Sequence, residues 1–226
     1  MEAIILAGGL GTRLREAVPD LPKPMAPING KPFLEYLIKN LKSKEFSRII
    51  LAVGYMANKI EDYFGSNYDG VEILYSKELE PLGTGGAIRL AMEKCKEDHV
   101  YVFNGDTYLD LEVIEVENLW MKKKRPIIVG RFMDDTGRYG RIESDNNRII
   151  SFREKRGGSS GVINAGCYVL KLNELDKFPV QKKFSIEENF FEKNTFEKNL
   201  LLFCTNGYFM DIGIPEAYRA FQEYIK

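Results

Sequence analysis

The sequence predicts an α/β fold in which helices flank a mixed, mainly parallel sheet. Over the first hundred residues, short apolar runs alternate with amphipathic segments, an order typical of parallel strands joined by helical crossovers. In the second half, strands follow one another with few helices between them. The length of 226 residues, with 44% hydrophobic and 29% charged residues, fits one domain over residues 1–226 with a sizeable core.

The first half contains apolar runs that we interpret as buried strands, separated by helices with one apolar face. Phe33, Leu37 and Leu41 recur at helical spacing, and Gly65 ends the second helix. Strands are predicted at 3–6, 47–53, 71–75 and 100–103, and helices around 33–41, 56–64 and 87–95.

The second half begins with a predicted helix over 111–123, which ends in a basic run, 122–125, interpreted as a solvated helix terminus. Ser185 to Glu188 form a capping box that opens a short helix through Phe191, and Pro215 opens the closing helix. Strands are predicted at 127–132, 140–143, 149–154, 162–170, 200–204 and 208–210. The glycine-rich loop 157–161 fits a lid or an inert hairpin tip equally well.

Charge and hydropathy exclude several classes of protein. A formal net charge of −1 argues against a nucleic-acid or membrane-surface binder, because both need a positive excess. No apolar run approaches the ~20 residues needed to span a bilayer, and Met1-Glu2 leads directly into the first strand without a signal peptide. We therefore expect a cytoplasmic protein, and a homo-oligomer remains possible.

The cysteines and the single histidine offer no catalytic set. Cys95, Cys167 and Cys204 are widely spaced in apolar segments, which predicts buried thiols without a disulfide or zinc site. His99 is predicted to be a surface residue at a strand start. Without it, no histidine-based triad can be assembled.

A glycine-rich loop with two cations follows the first strand. Gly8, Gly9 and Gly11 let the backbone approach a ligand with its N–H groups exposed, and a helix starting just after them adds a positive terminus. Arg13 supplies a bidentate fork suited to phosphate, and Lys23 supplies a point charge. The pattern predicts a polyphosphate site.

Two common phosphate loops do not fit these residues. The Walker pattern needs Gly-Lys-Ser/Thr, which does not follow the glycines. The dinucleotide fingerprint needs a third glycine where Leu14 stands.

Two carboxylates lie after strands that should end at the same edge of the sheet as this loop. Asp106 follows the fourth strand and Asp211 follows the last one. Ligands of open α/β sheets bind at the carboxyl ends of the strands, and carboxylate oxygens suit Mg²⁺. The two aspartates together with the loop predict a magnesium site.

The segment Gly-Gly-x-Gly-Thr-Arg-Leu with a following Lys-Pro resembles the sugar-1-phosphate nucleotidylyltransferases, from Met1 to about Tyr218. The resemblance implies the Rossmann-like nucleotide-diphospho-sugar transferase fold, a Mg²⁺ cofactor, and transfer of a nucleoside monophosphate to a sugar 1-phosphate with release of pyrophosphate. Larger members add a left-handed β-helix, which we do not expect here.

The same resemblance implies roles for individual residues. In such a site Arg13 holds the leaving pyrophosphate, Lys23 stabilises charge at the reacting phosphates, and Lys155 holds the attacking phosphate. The implied nucleotide contacts are Leu6, Ala7, Gly8, Gly9, Gly11, Thr12 and Arg13, with Glu80, Gly83, Thr84 and Gly85 at the base. The implied sugar contacts are Asp106, Gly140, Glu154, Lys155 and Asn164, and the implied metal ligands are Asp106 and Asp211.

Within that family, the segment 80–86 and the compact length look most like the D-glycero-α-D-manno-heptose 1-phosphate guanylyltransferases, which implies GTP and a heptose 1-phosphate as substrates, for surface polysaccharide synthesis. The same reaction on mannose 1-phosphate or another hexose 1-phosphate is the alternative. A non-catalytic nucleotide or sugar sensor on this fold has no need of the metal pair. A glycosyltransferase would carry an Asp-x-Asp motif, which residues 106–110 do not supply.

Overall fold

A computed structural model describes residues 1–9, 21–153, 159–197 and 199–225, without the side chains of Arg153 and Phe196. The strands are β1 Glu2–Leu6, β2 Pro27–Ile28, β3 Lys31–Pro32, β4 Arg48–Val53, β5 Asn67–Tyr68, β6 Val71–Lys77, β7 His99–Asn104, β8 Thr107–Leu109, β9 Ile127–Met133, β10 Arg141–Asp145, β11 Arg148–Arg153, β12 Gly161–Lys171, β13 Leu201–Thr205 and β14 Phe209–Asp211. The α-helices are α1 Phe33–Ser43, α2 Ala57–Phe64, α3 Gly83–Met92, α4 Val113–Lys123, α5 Glu192–Phe196 and α6 Pro215–Tyr224, with a 3-10 turn at Lys23–Met25 and a π-helical segment at Glu187–Phe191.

Ten strands form one mixed sheet in the order β10-β11-β13-β9-β12-β7-β1-β4-β6-β5. The neighbours β7, β1, β4 and β6 are parallel, as their alternation with helices predicts. Beyond β7 the sheet becomes largely antiparallel, because β12 pairs antiparallel with both β7 and β9. The predicted mixed α/β fold is therefore confirmed, with its parallel part concentrated in the first half of the chain.

Both faces of the sheet are covered, which explains why the central strands are apolar without interruption. In β1, Ala3 and Ile5 join one core cluster, which also holds Phe33 of α1 and Trp120 of α4. Ile4 points to the opposite face and packs in a second cluster with α3 and the π-helical segment. The period of two along each strand thus distributes the apolar side chains between two layers of helices.

A two-stranded ribbon lies outside this sheet and carries site residues. Strand β14 pairs antiparallel with β8, which places Asp211 opposite Thr107. The backbone N–H of Ile212 donates to the carbonyl oxygen of Asp106 at 2.9 Å. The ribbon therefore brings two segments that are remote in sequence to one place.

Two expectations about single residues are wrong. His99 is buried, because its ring stacks on Trp120 at 4.7 Å and its Nε2 lies 3.1 Å from a carboxylate oxygen of Glu117. Cys204 is exposed, whereas Cys167 is buried. Neither residue approaches the candidate site described below.

The capping box is confirmed in part. The backbone N–H of Glu188 donates to Ser185 Oγ at 3.2 Å, as expected of such a box. The reciprocal bond comes from Asn189, whose Oδ1 accepts the N–H of Ser185 at 3.0 Å. The helix begins as a π-helical segment and continues as α5 beyond the predicted end at Phe191. No helix in the described part of the chain is long and apolar enough to cross a membrane.

Candidate active site

The segment after β1 runs closely between neighbouring strand ends. The N–H of Ala7 donates to the carbonyl of Ala52 at 2.8 Å, and the N–H of Gly105 donates to that of Leu6 at 3.0 Å. A Cβ on Gly105 would lie 2.4 Å from the Leu6 oxygen, so only glycine permits this approach. The start of the predicted phosphate loop therefore lies at the carboxyl edge of the parallel strands. Its continuation, with Gly11, Thr12 and Arg13, lies outside the described residues.

Asp106, Asp211 and Lys23 meet at this edge. Lys23 Nζ donates to Asp106 Oδ2 in an ion pair, and the Lys23 side chain is only 12% exposed. Asp211 Oδ1 accepts the N–H of Gly213 at 2.7 Å, while Asp211 Oδ2 lies 3.5 Å from the guanidinium of Arg138. Two carboxylates and two cations thus share a small volume, as the sequence predicts for Lys23 and the aspartates.

The environment of Asp211 disfavours its ionised form. Burial is the main reason that its pKa lies above the usual range, and the charge of Asp106 adds to it. Lys23, the Gly213 N–H and Arg138 oppose the effect. A cation placed between the aspartates would relieve this repulsion.

The donor set suits Mg²⁺, which is commonly held by one or two carboxylates together with substrate phosphates and water. Asp106 and Asp211 provide those two carboxylates on the wall of one cavity. Among the described residues there is no group of three or more His, Cys, Asp or Glu side chains that would form an all-protein metal cage. The fit is therefore to a metal that enters with a phosphorylated substrate.

A cavity of about 230 Å³ opens beside the aspartates. Of the residues implied for the sugar, Asp106, Gly140 and Asn164 line it. Glu154 and Lys155 lie outside the described residues, as do the first two residues of the loop 157–161. The structure thus brings the described sugar, metal and phosphate candidates into one place.

Asn164 has half of its hydrogen-bonding capacity committed to the protein. Its Oδ1 accepts the N–H of Gly166 at 3.0 Å, and its Nδ2 donates to the hydroxyl of Tyr168 at 2.9 Å. One amide hydrogen remains for a ligand, because a carboxamide nitrogen carries two. Asn164 can therefore still donate one hydrogen bond to a ligand and accept one from it.

The glycines at positions 83, 85 and 86 allow close packing against the segment 182–184. Instead of preceding a helix as expected, they form the first turn of α3. The N–H groups of Gly85 and Gly86 both donate to the carbonyl of Phe184, at 3.0 and 3.3 Å. A Cβ on Gly85 would lie 2.1 Å from the Phe184 ring. The Gly85 N–H therefore already has a partner, and the contact of Gly85 with a nucleotide base stays a prediction.

Glu80, the residue predicted to contact the base, is exposed to solvent beside Leu79, which is 93% exposed. Glu78 is half-buried, and one of its oxygens accepts the N–H of Leu82 at 2.8 Å. Its other oxygen would lie 2.7 Å from a Cβ on Gly8. Burial raises the pKa of the Glu78 carboxyl, partly offset by the Leu82 N–H. The geometry favours Glu78 over Glu80 as the carboxylate next to the glycine loop.

Several residues that the sequence prediction did not include also line the cavity, among them Arg138, Tyr139 and Glu187. Arg138 and Tyr139 immediately precede Gly140, so their proximity could have been expected from that residue. Glu187 lies in the capping box, where it had only a structural interpretation. Its position in the wall depends on the packing of the π-helical segment against β12, which no local pattern reveals.

Comparison with known proteins decides the family. The family model described as Nucleotidyl transferase matches residues 2–226. The chain belongs to the nucleotidyl transferase family. It is 42% identical over 224 residues to the D-glycero-alpha-D-manno-heptose 1-phosphate guanylyltransferase of Aneurinibacillus thermoaerophilus, covering 99% of this chain and 97% of that protein.

Two further relatives give the same result. A protein of that name from Campylobacter jejuni is 43% identical over 222 residues, with 98% of each chain covered. The crystal structure of HddC from Yersinia pseudotuberculosis complexed with GMP-PN superposes with a TM-score of 0.87 at 38% identity, covering 100% of this chain and 99% of that one. This nucleotidyl transferase therefore resembles guanylyltransferases along nearly its whole length.

Proposed function

We propose that this nucleotidyl transferase transfers GMP from GTP to D-glycero-α-D-manno-heptose 1-phosphate, giving a GDP-sugar for surface polysaccharide synthesis and pyrophosphate. The observation that carries the proposal is the 42–43% identity to two heptose 1-phosphate guanylyltransferases over nearly the full chain. The cavity beside Lys23, Asp106 and Asp211 supports it, because a phosphate transfer site needs cations and metal-binding carboxylates at one place. The reaction would take place in the cytoplasm, within one catalytic domain.

The chemistry requires positioning more than proton transfer. The attacking group is the phosphate oxygen of the sugar 1-phosphate, which is already anionic near neutral pH because its second pKa is ~6. It attacks the α-phosphorus of GTP in line, and pyrophosphate leaves. The protein must bring two anions together and neutralise charge as it develops. No general base is needed, and buried His99, remote from the cavity, fits this requirement.

The cations divide this work between the two substrates. Lys23, held against Asp106, stabilises charge at the reacting phosphates. Arg13 binds the leaving pyrophosphate and Lys155 binds the attacking phosphate, as the family resemblance implies. Arg138, on the cavity wall and 43% exposed, adds a cation that can reach a phosphate oxygen.

Mg²⁺ would be held by Asp106 and Asp211 together with substrate phosphate oxygens. When bound, it neutralises charge on the α-phosphate. Without the metal, the two carboxylates still hold neighbouring groups in place, because Asp106 accepts from Lys23 and Asp211 accepts the Gly213 N–H.

Glu78, next to the glycine loop, accepts hydrogen bonds from the guanine base. Guanine presents N1–H and an exocyclic amino group side by side, and a carboxylate can accept from such donors. Glu78 is half-buried against Gly8, where a nucleotide that follows the loop would place its base. Glu80, out in solvent, is not needed for this contact.

The test is pyrophosphate release from GTP, ATP, CTP, UTP and dTTP, each combined with heptose 1-phosphate, mannose 1-phosphate and glucose 1-phosphate. We expect the highest kcat/KM for GTP with the heptose. A higher value with mannose 1-phosphate would replace the sugar but keep the guanylyl transfer. Highest turnover with UTP or dTTP would contradict it, and no turnover with any pair would favour a non-catalytic binding protein.

A further inference from the structure

Glu187 presents a carboxylate to the same cavity as Asn164 and Asp211. Its Oε2 accepts hydrogen bonds from Thr84 Oγ1 at 2.6 Å and from Ser185 Oγ at 2.8 Å. These two hydroxyls fix the plane and direction of the carboxylate. Thr84 Oγ1 is itself fixed, because it accepts the N–H of Ile186 at 3.0 Å.

The other carboxylate oxygen, Oε1, has spare capacity. Among the described residues its hydrogen-bond partner is the hydroxyl of Tyr168, at 3.5 Å, the far limit of such a bond. Tyr168 is fully buried and accepts from Asn164 Nδ2, so its own hydrogen is available to point at Glu187. An ionised carboxylate offers about four acceptor sites on its two oxygens, so Oε1 retains room for a ligand donor.

The other two described carboxylates in the cavity wall are each paired with a cation. Asp106 is paired with Lys23, and Asp211 with the Gly213 N–H and with Arg138. Asn164 Oδ1 already accepts one hydrogen bond, from the Gly166 N–H. A sugar carries several hydroxyl donors, and burying one without an acceptor is costly. Among the described carboxylates of this wall, Glu187 is thus the one without a cationic partner, which leaves its Oε1 to accept from a sugar hydroxyl.

We propose that Glu187 accepts a hydrogen bond from a hydroxyl of the sugar 1-phosphate through Oε1, and that it determines which sugars are used. The inference rests on the proposed function in that the ligand is a sugar 1-phosphate. Its hydrogen bonds to Thr84 of α3 and through Tyr168 to Asn164 of β12 hold the carboxylate in the orientation that this contact needs.

The experiment compares wild type with Glu187→Gln and with Glu188→Gln. Glu188 is the adjacent carboxyl group, exposed to solvent, and its variant is the matched control. Mannose 1-phosphate and its 2-, 3-, 4- and 6-deoxy analogues are assayed with whichever nucleoside triphosphate gives the highest wild-type kcat/KM. Thus an error about the base does not affect the comparison.

We expect Glu187→Gln to raise KM for mannose 1-phosphate about tenfold, with KM for the nucleotide changed less than twofold. In wild type, one deoxy analogue should be used distinctly less well than mannose 1-phosphate. That discrimination should shrink severalfold in Glu187→Gln and stay unchanged in Glu188→Gln. A structural role alone would lower activity toward all analogues by one common factor, and this result would overturn the proposal.

Failure of the proposed function would be recognised separately. If wild type releases no pyrophosphate with any of these sugars or with the heptose 1-phosphate, the proposed reaction is contradicted. Calorimetric titration of wild type and Glu187→Gln with mannose 1-phosphate and the deoxy analogues then decides on Glu187. Weaker mannose 1-phosphate binding in the variant, with reduced discrimination, supports the proposal, whereas equal binding or no binding by either protein overturns it.

Discussion

Asp211 is a half-buried carboxyl group whose charge the fold tolerates at a cost in stability. Burial and the neighbouring charge of Asp106 raise its pKa, and Lys23 compensates only in part. A raised pKa means that the folded state binds a proton more tightly than the unfolded state. Stability contributed by the neutral form is therefore lost as pH rises from the unfolded pKa through the folded pKa.

Replacing Asp211 by Asn should make the protein more stable and inactive. The amide keeps an oxygen for the Gly213 N–H but carries no charge. We expect Tm at neutral pH without divalent metal to rise by ~2–4 °C for each ~1 kcal/mol gained, as is usual at this chain length. Turnover should fall by orders of magnitude because charge stabilisation at the phosphates is removed. Differential scanning calorimetry and pyrophosphate release measure the two effects.

The control for this substitution is Asp134→Asn, at an exposed position. It should leave both Tm and activity near wild-type values. An Asp211→Asn protein that melts below wild type would contradict the view that the carboxylate is a destabilising group in the free protein.

Base selection should depend on Glu78 and be independent of Glu80. Glu78→Gln replaces one acceptor oxygen by a donor, which opposes the guanine N–H groups. The GTP/ATP ratio of kcat/KM should fall tenfold or more, consistent with ~1–3 kcal/mol for an unmatched buried polar pair. Glu80→Gln, two residues away and exposed, is the matched variant and should leave the ratio unchanged. The opposite pattern would restore Glu80 as the contact and remove Glu78.

Among the elements, α1 carries a buried charge network that supports its packing. Glu35 is 2% exposed and accepts from Lys39 Nζ at 2.6 Å and from the Tyr63 hydroxyl at 2.8 Å. Burial alone would raise its pKa, but the hydrogen bonds from Lys39, Tyr63, Tyr68 and Lys31 outweigh it and lower the pKa to about 2. The apolar spacing predicts the helix correctly, yet gives no sign that Glu35 is buried within it.

The depressed pKa of Glu35 should make the protein acid-sensitive. For a lowered carboxyl pKa, the contribution to stability is complete above the unfolded value of 4.5 and is lost as pH falls toward about 2. We expect Glu35→Gln to be less stable at pH 7 and to show a shallower decline of unfolding free energy between pH 5 and pH 2, measured by urea titration. Glu115→Gln, at an exposed position of α4, should keep the wild-type slope. An unchanged slope in Glu35→Gln would contradict the assignment.

At the scale of the whole molecule, the site lies where the sheet changes from parallel to antiparallel, between β7 and β12. The parallel half supplies the segment after β1 and the segment after β6, and Glu78 is the first residue of the latter. The antiparallel half supplies Asn164 on β12 and Gly140 before β10. Under the proposed function, each half of the sheet would serve one substrate.

Hydrogen exchange monitored by mass spectrometry should separate the two halves. GTP without sugar should slow exchange in residues 6–9 and 78–86, whereas a sugar 1-phosphate should slow it in residues 138–140 and 163–166. The apolar strands β4 and β7, buried in the core, serve as internal references. Equal protection of both sets by GTP alone would show that the halves are not distinct binding units.

How far sequence predicts this molecule depends on the range of the interactions. Strands such as β4 and the helix α1 are predicted because their apolar spacing is local. The convergence of Asp106 with Asp211 follows from the rule that strands present ligands at their carboxyl ends. Glu187 and Glu78 were missed, because their burial results from packing between segments that lie far apart in the chain or beside the glycine loop. His99 was misplaced for the same reason, since Trp120 covers it.

The close contact between α3 and Phe184 changes how mutations in the segment 83–86 should be interpreted. Gly85 and Gly86 have no room for a methyl group, against the Phe184 ring and the Lys182 carbonyl oxygen. Alanine at either position would push α3 away from the segment that carries Glu187, with no ligand involved. Loss of activity in a Gly85→Ala protein would therefore indicate disturbed packing between α3 and the segment that carries Glu187. Such a variant is suited to measuring how far a shift of α3 changes the position of Glu187 and, with it, the proposed sugar contact.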